Sequence, residues 1–283
     1  MYTSNHLILN RVFTRSTLLE LIEKQAEETY ASAIKRYIND PDIKNNGQLI
    51  SEIYKELSKN YRNEYFYKNT LLNKLLLGVH SPRTTTALTE VSVSKSKADF
   101  ILINGKAIVY EIKTELDNFE RLKSQVDDYY KAFNYVSVVT SESNYKTIKQ
   151  MLSGSQVGIY LLTKRNTLSK KKQPMMDNSQ LDLNIIFKIL RKSEYENIIL
   201  TYYGHLPTVS QFNYYNTCTE MFCKIDTMVA YELFIQELKK RGSIDLDMYN
   251  EIPYELKFLT YFMNMRKTDY RKLKVFLKSK FGG

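Results

Sequence analysis

The chain has 283 residues, a formal charge of +10 and 43% apolar residues, enough for one large or two modest globular cores. No apolar run approaches the roughly 20 residues that cross a bilayer, and no basic-then-apolar leader opens the chain, so membrane and secreted classes are not expected. The two cysteines, Cys218 and Cys223, lack a second Cys/His pair to complete a zinc site and read as free thiols in a reducing cytoplasm. The basic excess favours a polyanion, nucleic acid before an anionic surface, although solubility alone accounts for it too.

Residues 7–38 carry helical spacing, with a capping box expected at Ser16 to Glu20. Residues 39–48 have loop composition. Helices are expected over Leu49 to Leu57 and over 68–80, the latter ended by Gly78. After Pro82 the period shortens. Thr84 to Val93, 97–103 and 106–113 read as strands, Asn118 to Phe133 as an amphipathic helix, 135–141 as a strand, Asn144 to Leu152 as a short helix and 157–163 as a further strand. That order predicts an α/β fold with a mixed sheet, antiparallel at its start and then built by crossovers, with helices packed on it. Residues 164–180 are basic, polar and contain Pro174, which suits a linker. Beyond it, Leu181 to Tyr203, Asp226 to Arg241, a segment from Pro253 to about Met265, and the basic stretch 266–280 read as helices. The expected organisation is a helical segment 1–82, an α/β core 83–163, a linker 164–180 and a helical region 181–283.

Asp99, Glu111 and Lys113 interrupt strands that otherwise look buried. Side chains alternate along a strand, so Glu111 and Lys113 share a face with Ala107 and Val109. A two-residue turn at Asn104-Gly105 would pair Ile103 with Lys106 and set Glu111 across from Ala98. A three-residue connection, Asn104-Gly105-Lys106, pairs Ile103 with Ala107 and sets Asp99 across from Glu111. The second register is expected, because it alone gathers the charges without a further bulge. Two facing carboxylates repel unless something mediates, and a divalent metal held by hard oxygen ligands is such a mediator. With a lysine beside it, this is equipment for phosphodiester hydrolysis. On spacing alone, charges on an exposed edge strand, with Asp99 at a strand start and Glu111–Lys113 as a surface pair, explain the pattern somewhat better. In the following helix Arg121, Gln125 and Tyr129 are spaced i, i+4, i+8 and form one row; Arg121 has an alternative partner in Asp117.

Asp99, then Glu111-Ile112-Lys113 after a hairpin, then a helix bearing Gln125-x-x-x-Tyr129, resembles the PD-(D/E)XK nuclease superfamily with its restriction-endonuclease-like fold. The Gln/Tyr element is similar to that of the RecB-type branch, and residues 97–140 resemble an uncharacterised bacterial family of that superfamily. The resemblance covers about residues 84–163 and is strongest over 97–133. It implies that Asp99 and Glu111, with the Ile112 carbonyl and an extra acid at Glu90, hold Mg2+ or Mn2+, and that Lys113 is the catalytic lysine. It further implies that Gln125 and Tyr129 orient substrate or site groups. Lys97 stands where that family usually has Arg. An acidic residue on the first helix is left open among Glu52, Glu56 and Glu64.

The resulting expectation is a metal-dependent nuclease acting on nucleic acid, DNA foremost, with Lys97, Arg121, Tyr129 and Lys170, Lys171 and Lys172 contacting it. A catalytically silent nucleic-acid-binding module on the same fold is the alternative. A homodimer or protein partner through the helical C-terminal region is a third role. No membrane partner, phosphate-binding glycine loop or histidine metal set is expected.

Overall fold

The computed structural model describes residues 6–242 and 244–282. The chain forms two compact units, Met1–Gly78 with Ser243–Gly283, and Val79–Gly242. None of its helices is long and apolar enough to cross a membrane among the described residues.

The first unit is helical. Residues 7–38 break into three helices, α1 (Leu7–Val12), α2 (Arg15–Lys24) and α3 (Glu28–Tyr37). The expected cap at Ser16 lies two residues earlier: Thr14 accepts from the Thr17 N–H at 3.3 Å. Gln25 then stops α2 in a left-handed conformation (φ 58°), and Glu27 caps α3. Helix α4 (Asn46–Asn60) opens with a capping box between Asn45 and Gln48. Helix α5 (Glu64–Leu71) continues as a π-helical turn, Leu72–Leu77. The three acids left open sit on these helices: Glu52 pairs with Lys44, Glu56 accepts from Asn60, and Glu64 pairs with Lys68.

Its remaining helices come from the chain's other end: α12 (Leu246–Asn250), α13 (Lys257–Phe262, after a 3-10 turn Tyr254–Leu256) and α14 (Lys267–Lys278). The ends are fastened through a buried amide. Asn46 donates from Nδ2 to the carbonyls of Phe276 and Ser279, and Tyr30 donates to Asn46 Oδ1 at 2.9 Å. A single helical region 181–283 is therefore not what forms, because residues 244–282 fold with the N-terminal helices.

The second unit carries one six-stranded sheet in the order β1-β2-β3-β4-β5-β6. The strands are β1 (Thr86–Val93), β2 (Ser96–Asn104), β3 (Lys106–Lys113), β4 (Tyr135–Ser141), β5 (Gly158–Leu162) and β6 (Leu168–Lys172). The first three pair antiparallel. Helix α6 (Leu122–Tyr130) crosses from β3 to parallel β4, and α7 (Tyr145–Met151) from β4 to parallel β5. The sixth strand overturns the expected linker. Residues 168–172 return antiparallel along β5, so the basic stretch is a sheet edge. Its lysines obscured the strand in the sequence, and lysine is a residue that edge strands use to deter further pairing.

Ala107, Val109, Val136, Val138 and Ile159 build one face of the sheet, covered by Leu122, Val126 and Tyr129 of α6 and by Ile148 of α7. Four further helices complete that layer: α8 (Leu183–Ile189), α9 (Lys192–Tyr203), α10 (Gln211–Cys223) and α11 (Thr227–Lys239). The expected helix 181–203 is two helices, broken at Leu190, whose extended backbone (ψ 140°) ends α8. Arg241, after α11, grips Glu194 at the start of α9 with Nε and Nη2 at 2.7 and 2.6 Å, and Nη2 also reaches the Ile189 carbonyl.

Burial alone would raise the Glu194 pKa, but the Arg241 fork and the Arg191 N–H outweigh it and hold the carboxyl below its ordinary value. A depressed folded-state pKa contributes stability above the unfolded value and loses it as pH falls through the folded one. The unfolding free energy in urea is therefore expected to drop as pH falls below about 4.3. Glu194→Gln flattens that drop; parallel curves for wild type and variant would contradict the assignment.

Candidate functional site

The site begins at a turn. Gly105 has φ 69°, and a Cβ there would meet nothing within 4 Å, so the position calls for glycine by backbone conformation alone. The left-handed residue closes the three-residue connection, with Ile103 opposite Ala107 and Asn104 opposite Lys106. This is the register that faces Asp99 toward Glu111. The regular β2–β3 ladder ends at Phe100 and Tyr110, one residue short of that pair. There the Asp99 carboxylate replaces the missing backbone partner, accepting from the Ile112 N–H at 2.8 Å. The N–H and C=O of one strand residue point to the same side, so the Ile112 carbonyl also faces the Asp99 side.

Across β2, the β1 ladder skips one position. Thr89 pairs with Phe100 and Val91 with Ala98, while Glu90 between them takes φ 56°. A left-handed glutamate inside a strand is strained by about 1–2 kcal/mol. It brings the Glu90 carboxylate within 4.8 Å of that of Asp99. Lys97, expected on nucleic acid, lies beside it with its ammonium 3.3 Å from Glu90.

Glu111 lies deeper, at 1% exposure on a strand with neighbours on both sides. An ionised carboxylate so buried must be paired and hydrogen-bonded. Lys113, on the same face, donates to Oε1 at 2.7 Å and to Gln125 Oε1 at 2.9 Å. The Tyr129 oxygen lies 2.5 Å from Glu111 Oε2 and 2.9 Å from the Lys97 carbonyl. Its single proton favours the carboxylate, where the bond is charge-assisted. Burial, and next the charge of Glu111, raise the Tyr129 pKa far above that of an ordinary phenol, so the hydroxyl remains a donor.

The row on α6 is thus split. Gln125 and Tyr129 reach the site. Arg121 is an exposed residue at the start of the helix, and Asp117 accepts from the N–H and hydroxyl of Thr114 instead of pairing with it. The basic edge does not converge on the site. Lys172 is spent on the carbonyls of Leu152 and Ser155. Lys170 pairs in register with Tyr160, on the sheet face opposite Glu111, and Lys171 is exposed.

Thr140 was not legible beforehand. Buried on β4 level with Lys113, it donates its hydroxyl to the Lys113 carbonyl at 3.0 Å and ties the end of β3 to β4. A threonine in a β-branched strand gives no signal of that role. Asp128 is similar: Ser96 and Lys131 both bond it, and with Ser94 they lower its pKa despite burial, which acts the other way and is the largest single influence.

The donors gathered beside Asp99 are all oxygen: the carboxylates of Asp99 and Glu90 approach each other, the Ile112 carbonyl faces the same side, and Glu111 has its two oxygens on Lys113 and Tyr129. Hard divalent cations take such ligands, and the set contains no nitrogen or sulfur that would favour a softer metal.

The family model described as Bacteriophage P4 protein cII matches residues 57–253, more than half of the chain, and the chain belongs to that family. No curated protein and no solved structure matches it.

Tyr129→Phe is expected to lower the unfolding free energy in urea by about 1–3 kcal/mol, because it leaves a buried carboxylate oxygen short of its donor. Unchanged stability would show that the hydroxyl does not support Glu111.

Proposed function

We propose that this member of the phage P4 cII family is a metal-dependent nuclease that hydrolyses phosphodiester bonds, with DNA as its foremost substrate, on a restriction-endonuclease-like core. The observation that carries the reading is the buried Glu111–Lys113 pair on β3, held by Gln125 and Tyr129 of α6 beside an aspartate bonded to the same strand. Lys and Glu are almost never buried this fully unless paired, and a pair held in a sheet interior by two further side chains is a candidate functional group. The antiparallel β1–β2–β3, the α6 crossover and parallel β4 support the likeness to the PD-(D/E)XK superfamily.

In this reading Asp99, Glu111 and the Ile112 carbonyl hold Mg2+ or Mn2+, with Glu90 as a further acid. The bound cation would acidify water and offset negative charge building on the phosphoryl oxygens. The protein's own residues do the positioning. Tyr129 and Lys113 fix the Glu111 carboxylate, and the Ile112 N–H fixes that of Asp99, so neither must reorganise when substrate arrives. An ammonium carries three donors, and Glu111 and Gln125 take two from Lys113. The third is available to a phosphate oxygen or to the attacking water, and Gln125 keeps the side chain aimed.

Asp99→Asn, Glu111→Gln and Lys113→Met are each expected to reduce Mg2+-dependent cleavage of duplex DNA by about 100-fold or more, measured on preparations whose circular dichroism matches the wild type, and Lys113→Met is expected to cost stability as well because it breaks a buried pair. Chelation should abolish cleavage by the wild type. Cleavage surviving all three substitutions would contradict the reading, and metal-independent binding without cleavage would favour the silent module.

A further inference from the structure

The sheet register identifies a second cationic element at the same end of the fold as Lys113. Lys113 pairs with Thr140, Thr140 with Leu161 and Leu161 with Ser169, so one row of residues runs from β3 to β6, and Leu162 with Leu168 forms the next row toward the hairpin. Immediately beyond that row the chain turns through Thr163 to Thr167. Thr163 and Thr167 pin the turn by a hydroxyl–hydroxyl bond and by the Thr163 N–H donating to the Thr167 carbonyl at 2.9 Å. Asn166 holds its left-handed position at φ 58°. At the tip, Lys164 and Arg165 are exposed, and neither pairs with a carboxylate among the described residues.

We propose that the Lys164–Arg165 hairpin tip is a phosphate-binding element that grips the nucleic-acid backbone several nucleotides from the bond positioned at Lys113. Neighbouring strands lie about 4.8 Å apart and residues rise about 3.3 Å along a strand, so the tip, two to three strands over and three to four residues beyond Leu161, stands roughly 16 Å from Lys113. About five nucleotides of rise at 3.4 Å each span that distance along one strand. The guanidinium offers a planar fork that matches phosphate oxygens, and the ammonium a mobile point charge. A short pinned turn presents both with little ordering left to do. This transfers the phosphate-contact role from Lys170, Lys171 and Lys172, of which one is bonded internally and one lies on the opposite face. The inference rests on the nuclease reading for the bond at Lys113 and for the direction in which the substrate runs.

The test uses the full chain and an end-labelled duplex DNA of about 20 base pairs, followed by anisotropy in EDTA from about 50 to 200 mM salt. A Lys164→Glu/Arg165→Glu variant is expected to bind about tenfold or more weakly, with a log–log salt slope shallower by about 1–2. Lys188→Glu, on an exposed position of α8, should match the wild type. Equal affinity and slope for the hairpin variant, or no duplex binding by the wild type, overturns the proposal. Should the glutamate pair fail to fold, Lys164→Gln/Arg165→Gln gives the same comparison. Cleavage by the same preparations separates the two claims. Cleavage with unchanged KM in the hairpin variant overturns the hairpin and leaves the nuclease. Hairpin-dependent binding with no cleavage in Mg2+ or Mn2+ does the reverse.

Discussion

A carboxylate at 1% exposure, Glu111, sets the terms for the rest of the sheet unit. Leaving it charged and unpaired would be prohibitive, so its neighbours are organised to compensate it. The compensation comes from two directions: Lys113 from the same strand, and Tyr129 from a helix that packs on it. The bonds that satisfy Glu111 therefore also fix where α6 lies along β3. Gln125, one turn earlier, completes the cage by holding Lys113. Apolar packing by Leu122 and Val126 supplies the adhesion of the helix, and the polar contacts supply its register.

The second constraint is the way β2 leaves its neighbours. Regular pairing with β3 stops after Phe100, and pairing with β1 lapses at Glu90. Both irregularities fall at Asp99. A gap in a ladder normally leaves a backbone donor stranded, but here the Asp99 side chain takes the Ile112 N–H. The strained backbone of Glu90 brings a second carboxylate near the first. Like charges held together are unfavourable unless Lys97 or a cation offsets them, which is why an oxygen-only acidic corner of this kind suits a divalent metal.

Much of this was legible in the residues. Alternation gave β1 to β5 and their order, and Asn104-Gly105-Lys106 gave the register once the grouping of charges was used to choose between turns. The Gln125–Tyr129 spacing placed both on the site side of α6. Three things were not legible. Strand β6 hid behind its lysines, because hydrophobic alternation is the signal for a strand and an exposed edge lacks it. The joining of residues 244–282 to the N-terminal helices depends on long-range contacts such as Asn46 with Phe276, which no local pattern encodes. The fate of individual lysines depends on what they meet in space: Lys172 caps the carbonyls after α7, and Lys97 meets Glu90.

In the proposed reading Asp99, Glu111 and the Ile112 carbonyl form a divalent-cation site. Anomalous diffraction from a crystal of the full chain soaked in Mn2+ addresses it most directly. A difference peak is expected within coordination distance of Asp99 and Glu111 oxygens, lost in a Glu111→Gln crystal treated identically. Absence of a peak there in the wild type, or a peak only elsewhere, would contradict it.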